Sequence, residues 1–215
     1  YAEAVLDRAI LAGPYVRLAC ERHFRDRARA EGGGWFQFST AFADQILDFY
    51  EGVLRLPDLV DEFGDPQPFR LDVGSGFWAF VLGSGFGWVD RQGLRRFREW
   101  FIETGKGSAK TPVLAGVGLY GLTSDGERAA EIYAAAADQD QAGIMFRDAV
   151  RIAKASPDLD EVLEYDGGSH IWQIRHPESL SFFKTFSRES GQKSGTRPHM
   201  VLLDVGSGMR TGTLG

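Results

Sequence analysis

Thr104-Gly105-Lys106-Gly107-Ser108-Ala109-Lys110-Thr111 is the stretch on which the reading of this 215-residue chain turns. It stands between residues 97–103 (FREWFIE) and a run of small and apolar residues at 112–122. The spacing predicts a strand over 97–103, a glycine-rich loop, and then a helix. Pro112 is tolerated in the first turn of that helix, because the N–H it lacks has no helical partner there. Such a loop converges several backbone N–H groups on one point, and the helix dipole adds positive potential at the same place. A phosphate group suits that environment. Lys110 is placed to reach β- and γ-phosphates, and the Thr111 hydroxyl to ligate Mg²⁺. The segment departs from the strict G-x-x-x-x-G-K-[ST] pattern twice, with Thr104 at the first glycine and Ala109 at the second. A solvated basic turn is the plain alternative for the same residues.

The second half of such a site is an apolar strand ending in an acidic residue that holds Mg²⁺ through water. Residues 200–203 (MVLL) read as a fully buried strand ending at Asp204, some ninety residues downstream and in the right order. Between the two lie a candidate strand at 130–137 and a helix. Ala142, Met145, Phe146, Ala149, Val150 and Ala153 share one face of that helix, and Asp138 is placed to cap it. Residues 162–174 and 180–186 alternate as edge strands or hairpins do. Strands alternating with helices make the fold class α/β.

Upstream, a helix is expected over about residues 2–30, ended by the glycine-rich stretch 31–34. A second helix carries an apolar stripe of Phe42, Ile46, Phe49, Tyr50 and Val53. Residues 58–68, acidic and with two prolines, read as a connector. The expected division is an N-terminal helical region with linker at 1–66 and the α/β domain at 67–215.

A net charge of −6 excludes a surface that binds nucleic acid all over, though not a local basic patch. Apolar runs fall short of the roughly 20 residues that cross a bilayer. The first residues lack the order of a secretory leader. Cys20 is alone, which excludes a disulfide framework or cysteine metal cluster and fits a reducing cytoplasm.

Longer stretches carry a more specific signal. Residues 97–111 (FREWFIETGKGSAKT), 115–142 (AGVGLYGLTSDGERAAEIYAAAADQDQA) and 182–204 (FFKTFSRESGQKSGTRPHMVLLD) resemble the large terminase subunits of tailed phages, in particular the HK97-like group. So do the first 23 residues and VLGSGFGWVDRQG at 81–93. The resemblance implies a three-layer, additional-strand P-loop ATPase sheet. It further implies a ring of subunits at the capsid portal that uses ATP and Mg²⁺ to push double-stranded DNA inside. Portal protein and the small terminase subunit would be its partners, with no membrane involved, in the host cytoplasm. By this resemblance the phosphate site is Thr104 through Thr111 (Thr104, Gly105, Lys106, Gly107, Ser108, Ala109, Lys110, Thr111). Thr111 and Asp204 are the metal residues, and Lys110 and Asp204 the catalytic pair. Arg188 and Arg197 are candidates for an arginine supplied to a neighbouring subunit. The later strands of the sheet and a nuclease domain, which the family carries, are expected to be missing here.

The chain departs from the family at two places. Val205 follows Asp204 where a Glu normally polarises the attacking water, and Phe77-Trp78 stands where an aromatic-Gln pair reads adenine. Impaired hydrolysis is the expectation. Both places carry Leu-Asp-Val-Gly-Ser-Gly, at 71–76 and 203–208, which resembles the first motif of S-adenosylmethionine-dependent methyltransferases. That reading would use Asp90 on a ribose, but Trp78 and Arg210 replace the third glycine. A third alternative is a non-hydrolysing nucleotide- or DNA-binding module.

His23, His170, His176 and His199 lack metal-ligand spacing. Asp158, Asp160, Glu161, Glu164 and Asp166 read as a solvated acidic face rather than a cation site. Arg91, Arg95, Arg96 and Arg98 read either as a solvated helix face or as contacts to a DNA backbone or neighbouring subunit.

Overall fold

The computed structural model describes residues 1–72, 76–136, 139–186 and 197–204. These form two compact units. One comprises Tyr1–Gly52 and Phe69–Ile102, and the other Val53–Pro68 and Glu103–Gly215. The chain passes between them three times, and the expected division at 66/67 falls inside that interleaving.

The first unit contains helices α1 (Ala2–Leu6), α2 (Pro14–Glu31), α3 (Thr40–Asp48) and α4 (Phe77–Gly87). Strands β1 (Phe36–Phe38) and β4 (Trp88–Asp90) pair antiparallel. The single helix expected over 2–30 is two helices. Arg8 adopts a left-handed backbone at φ 62°, and Pro14, at the head of α2, has no N–H to continue a helix from before it. A π-helical turn (Phe49–Val53) extends α3. On the expected stripe Ile46, Phe49 and Tyr50 are buried, while Phe42 is exposed.

Residues 97–103 form no strand. The Trp100 ring meets Phe86 edge-to-face, and a Cβ at Gly85 would lie 2.1 Å from it. Trp100 thus packs against α4 instead of pairing in a ladder, while Phe101 is 90% exposed. Residues 91–98 are likewise not a helix face. Arg96 ion-pairs with buried Asp26 at 2.9 Å and lies over the Trp88 ring, and Arg95 lies over Phe86.

The second unit is built on a five-stranded mixed sheet of order β6-β7-β8-β5-β9. Its strands are β5 (Glu131–Ala136), β6 (Glu164–Asp166), β7 (Gln173–His176), β8 (Ser181–Thr185) and β9 (Pro198–Asp204). β5 lies parallel to both β8 and β9, while β6, β7 and β8 form an antiparallel meander. Among the described residues β9 is an edge strand. Helices α5 (Lys110–Thr123) and α6 (Gln139–Ala155) pack on each other and on one face of the sheet. That face carries Ile132, Phe183 and Leu202, with Phe146 of α6 edge-on to Phe183. β9 is therefore only half buried: Leu202 is 7% exposed, but Val201 and Leu203 on the other face are 56% and 57%. The stripe on α6 is as expected, except that Ile152 is buried and Val150 only half-buried. Asp138, its expected cap, lies outside the described residues.

Residues 58–68 are part of a hairpin rather than a plain connector. β2 (Arg55–Val60) and β3 (Pro66–Pro68) pair antiparallel around a turn in which the Asp61 carboxylate accepts the N–H groups of Phe63 and Asp65. This hairpin is tied to α6 by the Arg151–Asp58 ion pair and to the end of α6 by a bond from the Arg55 N–H to Ser156 Oγ. The acidic residues lie on α7 (Pro157–Val162) and on β6, where Arg175 pairs with both Glu164 and Asp166.

Candidate functional site

α5 begins at Lys110, with Thr111 in its first turn. The helix is apolar on all sides and correspondingly buried, from Val113 to Leu122, between the sheet and α6. Gly118 and Gly121 let it approach the strands without an intervening side chain. A Cβ at 118 would fall 2.5 Å from Phe183 and one at 121 would fall 2.6 Å from Met200. The head of α5 is thus held firmly over the sheet.

The loop before it turns through two left-handed residues, Gly107 at φ 81° and Ala109 at φ 58°. Glycine takes such a backbone freely, whereas alanine does so at a cost. Ala109 thus keeps the conformation that the pattern's second glycine would have. The Lys110 ammonium donates to the carbonyl oxygens of Thr104 at 2.8 Å and Gly105 at 3.4 Å, folding back over the loop. Ser108 Oγ donates to the Gly105 carbonyl at 2.8 Å and lies 2.6 Å from Thr104 Oγ1. Lys106 is exposed.

Asp204 ends β9, and Thr111 Oγ1 donates to its Oδ2 at 2.7 Å. Residues 93 positions apart are thus in direct contact. Two hard oxygen donors meet beside a glycine-containing loop and an ammonium group, a donor set of the kind Mg²⁺ takes together with phosphates. At the far end of the same helix, Asp125 Oδ2 meets His199 Nε2 at 2.5 Å, at the start of β9. Nothing in the local spacing singled out Asp125, because 74 residues separate the pair.

Arg197 is placed elsewhere. Its N–H donates to Glu131 at 3.0 Å, just before β9 begins, so seven strand steps of about 3.3 Å put its backbone roughly 23 Å from Asp204. It does not serve the site of its own chain. Arg188 lies outside the described residues, as do Val205 and the glycines that follow it.

The Asp90 carboxylate accepts the N–H groups of Gln92 and Leu94 in its own turn, which accounts for it without a ribose. His23 sits among the rings of Phe24, Phe38, Phe80 and Trp88, and its Nδ1 accepts from Trp88 Nε1 at 3.2 Å. Burial and then the neighbouring Arg27 push its pKa below the usual histidine value. Among the described residues no group of His, Cys, Asp and Glu forms a metal cluster, and no helix is long and apolar enough to cross a membrane.

A mixed sheet backed by helices, with a glycine-containing loop leading into a buried helix, makes the second unit an α/β domain. A family model described as terminase large subunit, ATPase domain, matches residues 76–211, and the chain belongs to that family. The fold is similar to that of the HK97 bacteriophage large terminase, known from a crystal structure. The TM-score is 0.59 at 20% sequence identity, over 75% of this chain and 30% of that one. No curated protein matches the chain.

Proposed function

We propose that this chain is the nucleotide-driven part of a DNA-packaging motor, binding ATP with Mg²⁺ at residues 104–111 and Asp204. The observation that carries the reading is the Thr111–Asp204 contact at the head of α5, in a chain of the terminase ATPase family. Lys110 turns from the Thr104 and Gly105 carbonyls to the β- and γ-phosphates. Thr111 and Asp204 hold the metal, which when bound neutralises charge on the phosphate oxygens. In phosphoryl transfer a protein mainly positions groups and offsets charge, and both tasks fall to these side chains. Double-stranded DNA, portal protein and a small terminase subunit are the partners this reading implies, in a homo-oligomeric ring in the host cytoplasm.

Turnover is slow in this reading. Val205 cannot accept a proton from water, and a positioned base contributes about 10²- to 10⁴-fold. The same residue supports a second reading, a module that binds nucleotide without hydrolysing it.

Isothermal titration with ATP-Mg²⁺ and, separately, S-adenosylmethionine tests the site. Binding of ATP that weakens by at least about tenfold (roughly 1.4 kcal/mol) in Lys110→Ala and Asp204→Asn is expected. Preference for S-adenosylmethionine would refute it. In Val205→Glu the hydrolysis rate is expected to rise, by about tenfold or more. An unchanged rate counts against Asp204 as the metal residue.

A further inference from the structure

Thr104 stands where the phosphate-loop pattern has glycine, and its hydroxyl has a defined task in this loop. A serine hydroxyl has one proton, and that of Ser108 goes to the Gly105 carbonyl. The 2.6 Å contact between the two hydroxyls is therefore donated by Thr104. A directed chain results, from Thr104 O–H to Ser108 O–H to Gly105 C=O, joining residues 104 and 108 across the mouth of the loop.

Lys110 occupies the carbonyls of the same two residues, Thr104 and Gly105. Those carbonyls compete with a phosphate for the ammonium, and a carbonyl left without a donor opposes its departure. The hydroxyl chain does not include Lys110, so moving the lysine breaks none of its bonds and leaves one donor on Gly105.

We propose that Thr104 is a positioning residue: with Ser108 it clips the loop in its phosphate-accepting curvature and frees Lys110 to leave the backbone. This rests on the reading of residues 104–111 as the triphosphate loop. A glycine at 104 could form no such clip, so the departure from the pattern is a substitution of means. The loop gives up glycine's freedom and gains a side-chain tie.

The test is the affinity for ATP-Mg²⁺ in the full chain, by titration, for Thr104→Val, Thr104→Ser, Ser108→Ala and the Thr104→Val/Ser108→Ala double variant. Valine keeps the shape and removes the hydroxyl. It is expected to weaken binding about 3- to 10-fold, the range of one net hydrogen bond. Serine is expected to restore binding to within about twofold of the parent. The double variant is expected to bind no more weakly than Ser108→Ala, because both act through one chain. The melting temperature without nucleotide is expected to be unchanged. Valine binding as tightly as the parent, serine failing to rescue, or a lowered melting temperature with unaltered affinity would each overturn the clip. The first of these leaves the nucleotide site standing if Lys110→Ala weakens binding by at least about tenfold. A parent chain that does not bind ATP-Mg²⁺ overturns the clip and the site together.

Discussion

Ala109 holds its left-handed backbone without glycine's freedom. For an L-residue that conformation costs about 1–2 kcal/mol. Glycine in its place gives back about 0.5–1 kcal/mol through the looser unfolded chain. Ala109→Gly is therefore expected to stabilise the protein by about 0.5–1 kcal/mol, read as a higher denaturant midpoint at constant slope. A lowered midpoint would show that the loop carries no strain there. The sequence marked residue 109 as a glycine position filled by alanine. Whether the turn keeps its shape at that price lies in φ, which composition does not encode. His23 makes a second residue-scale case. Its folded-state pKa is depressed by burial, so between the two pKa values the unfolded chain binds more protons and stability rises with pH. The contribution is complete above the unfolded pKa of about 6.5 and is lost as pH falls below it. Melting curves from about pH 7 to about pH 5 are expected to show that loss, and His23→Gln to lack it while still accepting from Trp88. Equal pH slopes in the two proteins would refute it.

At the level of elements, the glycines of α5 set how closely the helix seats on the strands. Gly118→Ala places a Cβ 2.5 Å from Phe183 and 2.9 Å from Leu202, two side chains that are buried. Overpacking of this kind costs about 1–3 kcal/mol. It is expected to lift α5, separate Thr111 from Asp204, and weaken ATP-Mg²⁺ binding along with stability. Intact binding in a folded Gly118→Ala variant would show that the helix relaxes without disturbing its head. α6 was legible because its apolar residues recur with one clear period, and α5, β5 and β9 because each is an unbroken run of small or apolar residues. Residues 97–103 were misread because a short aromatic-rich run before a glycine-containing loop looks the same whether it pairs in a sheet or, as with Trp100 against Phe86, packs one ring on a helix. The hairpin at 55–68 was hidden by Asp61, whose carboxylate builds the very turn that reads as a linker. The strand at 200–203 was expected to be fully buried, since a sequence cannot say how many faces of its sheet are covered.

Taken as a whole, the molecule has two packing units, one around His23, Trp88 and Ile46 and one around Ile132, Phe183 and Leu119. Calorimetry is expected to resolve two transitions. His23→Gln would alter the pH dependence of one, and Gly118→Ala would lower the other. A single transition moved by both would mean the units unfold together. No local signal foretold that residues 69–102 fold with the N-terminal helices, because that depends on contacts between distant segments.

In structural terms α5 and β9 behave as the two long members of a truss. They lie side by side in opposite senses and are pinned at each end, Thr111 to Asp204 at one joint and Asp125 to His199 at the other. The 14 residues of α5 span about 21 Å between those joints. In the proposed reading, a triphosphate held at the Lys110 end would load α5 along its axis, with the closely seated glycines leaving little room for the helix to shift. Unpinning the remote joint with Asp125→Ala is expected to soften the grip on nucleotide at the opposite corner, which titration against the parent chain would register.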